Sequence, residues 1–306
     1  MFYAHGKLML TGEYVALDGA ESLAIPTRQG QFLRVKKLSD QDNFLYWIAL
    51  DFQRKIWLNF TFDKANLHCI NEANDKATQL SAILLQAKKM NPAFLSEKDS
   101  IAVETSLEFP NEWGLGSSST LIANIAKWAN VNAYELLQAT LGGSGYDVFC
   151  AENDTPILFS RKENTPKVSP INYFPAFADN IYFVYSGKKQ LSTAGIKYYN
   201  ETVKDKTTIA KAITAITKEI LACNDLTLFE NLIAKHEEII SNALHLPKVK
   251  DTIFADLDGC AKSLGAWGGD FMMITSKMNK SDLYNYLKTK EISIFFTFSE
   301  MIFKNK

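Results

Sequence analysis

Residues 110–129 read Pro110-Asn-Glu-Trp-Gly-Leu-Gly-Ser-Ser-Ser-Thr-Leu-Ile-Ala-Asn-Ile-Ala-Lys-Trp-Ala129, and the rest of the chain is best read outward from them. The segment before them, SIAVETSLEF, is strand-like, whereas LIANIAKWA after the glycines carries its apolar residues on one helical face. The stretch therefore predicts a strand, a tight glycine turn and a helix that opens on hydroxyl residues. Glycines let a backbone fold closely around an anion, and the first-turn N–H groups of a helix point at it. An ordinary helix cap after a flexible turn would have the same composition. The GxxxxGK[ST] pattern is excluded, because the lysine is missing.

Upstream, YAHGKLML, SLAIPTR, QFLRVKKL, FLYWIAL and KIWLNFTF read as strands split by Gly, Pro, Asp or Asn turns. Ala77, Leu80, Ile83, Leu84 and Ala87 fall at helical spacing and predict a helix over 74–90, stopped by Pro92. Downstream, YELLQATL and the segment opening at GYDVFCA predict short helices, and TPILFSR closes a first domain. Pro166, Pro170 and Pro175 mark a crossing into a second, giving domains 1–165 and 166–306. There NIYFVYSG, WGGDFMMITS and ISIFFTFSE read as strands, and 193–221, 225–243, 250–264 and 280–289 as helices. This order indicates an α+β fold, not a doubly wound parallel sheet.

The bulk numbers narrow the function classes. A chain of 306 residues with 47% hydrophobic content buries a substantial core, and its formal charge of −1 lacks the basic excess of a nucleic-acid binder. The 37 aromatic residues (20 Phe, 12 Tyr, 5 Trp) fall mostly in strand-like runs, where core packing is the better reading than base stacking. No membrane span or leader is expected. Cys69, Cys150, Cys223 and Cys260 are widely spaced, which fits free thiols in a cytoplasmic protein better than a zinc cluster. Monomer and homodimer both stay open.

Three segments in order resemble a known family, the GHMP kinases (galactokinase, homoserine kinase, mevalonate kinase and phosphomevalonate kinase). Pro110-Asn-Glu-Trp-Gly-Leu-Gly-Ser-Ser-Ser119 is similar to the family's second motif without a gap. Ala4-His-Gly-Lys-Leu-Met-Leu-Thr-Gly-Glu-Tyr14 resembles the first, with His5 at the usual proline position, and Gly265-Ala-Trp-Gly-Gly-Asp270 the glycine-rich third. The resemblance spans essentially the whole chain. It implies an N-terminal domain of the ribosomal protein S5 domain 2 type and a ferredoxin-like C-terminal domain. It also implies transfer of the γ-phosphoryl group of ATP, with Mg²⁺, to a small-molecule alcohol. Gly114, Leu115, Gly116, Ser117, Ser118 and Ser119 would cradle the phosphates, and Ser118 would contact the magnesium ion.

Asp147, in Gly-Ser-Gly-Tyr-Asp-Val, stands where turn glycines present a carboxylate at a helix start. It reads either as a helix cap or as the group that orients an acceptor hydroxyl; the likeness of GSGYDV to the mevalonate and phosphomevalonate kinase branch favours the second. Lys7 reads as a solvent-facing strand lysine or, through the family's Gly-Lys, as the cationic partner of that carboxylate. The resemblance also implies a magnesium-binding glutamate where this chain has Leu136 or Leu137; Glu135 is adjacent but on another helical face. Ser186-Gly-Lys-Lys-Gln-Leu-Ser-Thr193 resembles the branch's substrate side, so Lys188, Lys189, Ser192 and Thr193, with Gly268 and Gly269, are expected to meet the acceptor. A basic, soluble loop with a Ser/Thr cap is the plain alternative. Mevalonate or 5-phosphomevalonate is the expected acceptor, with a sugar or homoserine kinase, or a non-catalytic nucleotide or metabolite sensor, as alternatives.

Overall fold

A computed structural model describes residues 1–40, 42–71, 74–163, 165–189 and 192–302. The fold is mixed α+β and separates into two compact units interleaved along the chain. The first comprises residues 1–6, 29–111 and 115–152; the second takes residues 7–28, 112–114 and everything from 153 onward. Strands β1 (Phe2–Met9) and β2 (Ser22–Lys37) contribute to both, so the grouping is finer than one cut at 165/166.

In the first unit β3 (Phe44–Leu50) pairs antiparallel with β4 (Ile56–Asp63) and parallel with β5 (Ile101–Leu107). The second half of β2 adds antiparallel to β5, from Gln31 opposite Leu107 to Lys37 opposite Ile101. A parallel pair requires a crossover, and the chain between β3 and β5 supplies it through β4 and helix α1 (Asp75–Met90). Asn74 caps α1 by accepting from the N–H groups of Lys76 and Ala77, and its buried face is the anticipated Ala77, Leu80, Ile83, Leu84 and Ala87. Helices α2 (Ser117–Ala129), α3 (Ala133–Thr140) and α4 (Tyr146–Glu152) complete the unit. Trp47, Phe60 and Phe62 of the sheet share one apolar core with Leu84, Ile122, Ile125 and Leu136 of the helices.

In the second unit β6 (Ile157–Lys162) pairs with Ser22–Ala24 of β2 and with β7 (Thr165–Pro170). A separate antiparallel sheet has the order β11 (Phe295–Thr297), β8 (Ile181–Tyr185), β10 (Phe271–Thr275), β9 (Ala261–Ser263). Helices α5 (Ser192–Thr202), α6 (Lys206–Ala222), α7 (Leu226–Leu244) and α9 (Lys280–Thr289) accompany it, with the short α8 (Val249–Thr252) and α10 (Phe298–Met301). Leu283 and Leu287 of α9 join Tyr182, Val184, Met272 and Ile274 of the sheet in its core.

Four expectations change. SLAIPTR and QFLRVKKL are one strand: Pro26 falls between the residues of β2 that pair with β6 and those that pair with β5, and Gly30 marks a close approach to the Ala4 carbonyl, not a turn. The proline-rich 162–180 contains β7, whose Pro166 and Pro170 lie on a strand paired only to β6 among the described residues. The helix anticipated over 193–221 is broken, since Asp205 caps a new helix by accepting from Thr208 N–H. The helix anticipated over 250–264 ends at Thr252, where Lys250 Nζ takes up the carbonyls of Phe254 and Leu257. The chain there continues to β9.

Candidate functional site

The turn before α2 is built by glycine geometry. Gly114 (φ 66°) and Gly116 (φ 89°) both adopt the left-handed region that side-chain-bearing residues avoid. Gly116 is the N-cap residue of α2 and supplies no side chain to satisfy the first-turn N–H groups, which leaves those donors for an anion. Of the three serines, Ser117 donates to Asn111 Oδ1 at 2.7 Å, and Ser119 is buried and donates to Asp147 Oδ2 at 2.6 Å. Ser118 is exposed and its hydroxyl has no side-chain partner among the described residues. Leu115 is buried and holds the turn down.

Asp147 is half-buried in the first turn of α4, and its second carboxylate oxygen accepts from Val148 N–H at 3.0 Å. The Ser119 bond thus fixes the rotation of the carboxylate from α2. Within the first unit the structure brings the serine turn and the aspartate together, although 28 residues separate them in sequence.

Next to Ser117 and Ser118 opens a small cleft, walled by Trp47, Trp57 and Leu58 of β3 and β4, Leu80 and Ile83 of α1, and Leu121 of α2. Lys76 and Gln79 bring polar groups to its rim, and Thr105 and Asn111 complete the lining. The cleft thus sets apolar walls and a few polar groups beside the start of α2, whose first-turn N–H groups have no side-chain cap among the described residues. The strand-like runs assign the aromatics to core packing. Trp47 is indeed buried, but Trp57 is 39% exposed on a strand whose neighbour Ile56 is also exposed, a break in alternation that was the available signal.

In the second unit Lys7 Nζ donates to the Gly114 carbonyl at 3.0 Å. Asp270, at the end of the third glycine segment, lies against the same residue: a methyl group on Gly114 would fall 2.3 Å from its carboxyl carbon. The Asp270 N–H donates to the Lys188 carbonyl and its own carbonyl accepts from Ser186 N–H, both at 2.8 Å. Gly114, Asp270 and the loop carrying Lys188 are therefore tied together. Lys188 and Lys189 are exposed, Gly268 is exposed, and Gly269 is buried with its N–H on the Ala266 carbonyl. Ser192 and Thr193 open α5, but their side chains lie outside the described residues.

Leu136 and Leu137 are buried in the core of the first unit, and Glu135 is exposed on the opposite face of α3. Among the described residues no group of three His, Cys, Asp or Glu side chains is placed to hold a metal ion.

A buried polar cluster joins the first segment to α7 and β9. Lys262 Nζ, fully buried, donates to Glu13 at 2.7 Å and to Glu237 at 3.4 Å, and His236 Nε2 accepts from Gly12 N–H at 3.1 Å. Burial pushes the Glu13 carboxyl up to about 7 against the pull of Lys262. Burial and the same ammonium hold His236 well below the usual imidazole range.

No protein-family model matches the sequence, and no curated protein sequence matches it. Solved structures do share its fold. The mevalonate kinase of Methanococcus jannaschii superposes with a TM-score of 0.73 at 17% identity, covering 96% of each chain. The Streptococcus pneumoniae phosphomevalonate kinase, in complex with phosphomevalonate and AMPPNP, gives 0.72 at 14% identity over 96% of this chain and 98% of that one. The Lactococcus lactis galactokinase complexed with galactose gives 0.71 at 13% identity over 96% and 92%. The two-domain α+β architecture is that of the GHMP kinases. No helix among the described residues is long and apolar enough to cross a membrane.

Proposed function

We propose that a chain with this fold is a small-molecule kinase that transfers the γ-phosphoryl group of ATP to the hydroxyl of a small anionic alcohol, mevalonate or 5-phosphomevalonate. The observation that carries the reading is the 2.6 Å bond from Ser119 Oγ to Asp147 Oδ2, which sets a carboxylate beside the glycine–serine turn. In this reading the base of ATP enters the cleft of Trp57 and Gln79, and the phosphates take the free N–H groups at the start of α2. Asp147 orients the acceptor hydroxyl and receives its proton as the new O–P bond forms; the bond from the γ-phosphorus to the bridging oxygen breaks and ADP leaves. Lys7 supplies positive charge to the reacting oxygens, and Lys188 and Lys189 with Ser192, Thr193, Gly268 and Gly269 receive the acceptor. Ser118, whose residue is exposed at the start of α2, would offer its hydroxyl to a nucleotide-bound magnesium ion, which would offset the charge of the phosphates.

Incubation with ATP and Mg²⁺ against mevalonate, 5-phosphomevalonate, galactose and homoserine, read by mass shift, tests this. One added phosphate on either of the first two supports the reading. Phosphate on galactose or homoserine alone keeps the kinase and discards the acceptor. The buried leucines at the magnesium-glutamate position favour a second reading, a nucleotide or metabolite sensor. That reading gains if calorimetry records ATP binding while no acceptor is phosphorylated.

A further inference from the structure

Tyr14, which the transfer scheme leaves unused, is the meeting point of three segments of the second unit. Its phenolic oxygen accepts from the Trp267 backbone N–H at 2.8 Å, so the first sequence segment grips the third glycine turn from inside. Its ring stacks on Tyr199 of α5, with centroids 5.5 Å apart and planes 15° from parallel. In the first turn of that same helix, Gly195 leaves room for the phenol. A Cβ there would stand 2.9 Å from the Tyr14 oxygen and 3.2 Å from its Cε1.

Two features show that this contact is maintained against local preference. Glycine is disfavoured inside a helix, yet position 195 has it where the phenol passes. Tyr14 itself sits at φ 63°, ψ −51°, a conformation that residues with side chains rarely hold without support. The stack is also anchored from its far side. Tyr199 donates its hydroxyl to Asp18 at 2.6 Å, and the Lys206 ammonium lies 4.8 Å from its ring centroid.

We infer that Tyr14 is a positioning residue for the acceptor, locking the first turn of α5 to the third glycine turn so that the backbone of both is held in one arrangement. The inference rests on the kinase reading for its consequence, since α5 begins at Ser192 and the glycine turn contains Gly268 and Gly269. The clamp itself rests only on the contacts above. Tyr14→Phe removes one hydrogen-bond acceptor and preserves the stack.

The test is steady-state kinetics with mevalonate and 5-phosphomevalonate as acceptors, together with hydrogen exchange at the Trp267 amide. Tyr14→Phe is expected to raise the acceptor KM roughly three- to tenfold, leave the ATP KM unchanged and speed exchange at Trp267. Gly195→Ala is expected to raise the acceptor KM as well. The Tyr14→Phe/Gly195→Ala double variant should do better than the product of the two single effects, because the 2.9 Å clash disappears with the hydroxyl. An active wild-type enzyme whose acceptor KM is untouched by Tyr14→Phe, or whose two KM values rise alike, overturns the inference. If the wild type phosphorylates neither acceptor, the acceptor reading has failed instead. Exchange then decides the clamp, and unchanged protection at Trp267 overturns it.

Discussion

Asp147 and Ser119 illustrate what a single residue contributes. The carboxylate has one oxygen on its neighbour's N–H and the other on a serine from a different helix, so its direction is set before any ligand binds. Preorganisation of this kind matters because a positioned proton acceptor contributes about 10²–10⁴ in rate. Asp147→Asn is therefore expected to lower kcat by about a hundredfold or more with the fold intact by circular dichroism. Ser119→Ala, which frees the carboxylate to rotate without removing it, should cost less, about tenfold. Equal activity in Asp147→Asn and wild type would remove the base from the mechanism. Sequence placed both residues on the candidate site by motif. It could not pair Ser119, as opposed to Ser117 or Ser118, with the aspartate, because that depends on which face of α2 packs against α4.

Among elements, the cleft between β3, β4 and α1 makes the most specific claim. Trp57 stands partly exposed at its edge, and stacking of a base on an aromatic ring is worth roughly 1–3 kcal/mol. Trp57→Ala should weaken ATP binding about tenfold in a calorimetric titration. The melting temperature should change little, since an exposed side chain adds little core. An unchanged ATP affinity would move the base elsewhere. The turn before α2 gives a contrasting case. Gly114→Ala places a Cβ against the Asp270 carboxylate at a left-handed φ, and a non-glycine residue there costs about 1–2 kcal/mol before the clash is counted. This variant is expected to lose both thermal stability and turnover. Helix α1 was legible because its apolar period is a local property. The broken α5–α6 and the truncated α8 were not, since side-chain bonds such as Asp205 to Thr208 and Lys250 to two carbonyls end the helices against a permissive sequence.

At the scale of the whole molecule, the buried Glu13–Lys262–Glu237 cluster links stability to pH. The folded carboxyl of Glu13 titrates near 7 and the unfolded one near 4.5, so between these values the folded chain holds a proton that the unfolded chain has released. Its contribution is fully present below pH 4.5 and is lost as pH rises through 7. Glu13→Gln cannot lose that proton, so its melting temperature should gain on wild type between pH 5 and 7.5. A constant difference across that range would deny the titration. Lys262→Met leaves two buried carboxylates without their cation, a loss of about 3–5 kcal/mol, and should be far more damaging than Glu13→Gln at neutral pH.

Asp147 entered the candidate site through the likeness of GSGYDV to a kinase motif, whereas the amino-acid order alone determined the mixed α+β class, most strands and helices, and the glycine–serine turn. These follow from period, caps and positive-φ glycines, which act over a few neighbouring residues. Tertiary structure alone decided that Ser119 holds the aspartate, that Trp57 edges a cleft, that Asp270 rests on Gly114, and that Tyr14 spans two segments. Each of those brings together residues far apart in sequence. Local preferences carry no information about which distant faces pack together, because burial is paid for by the fold as a whole.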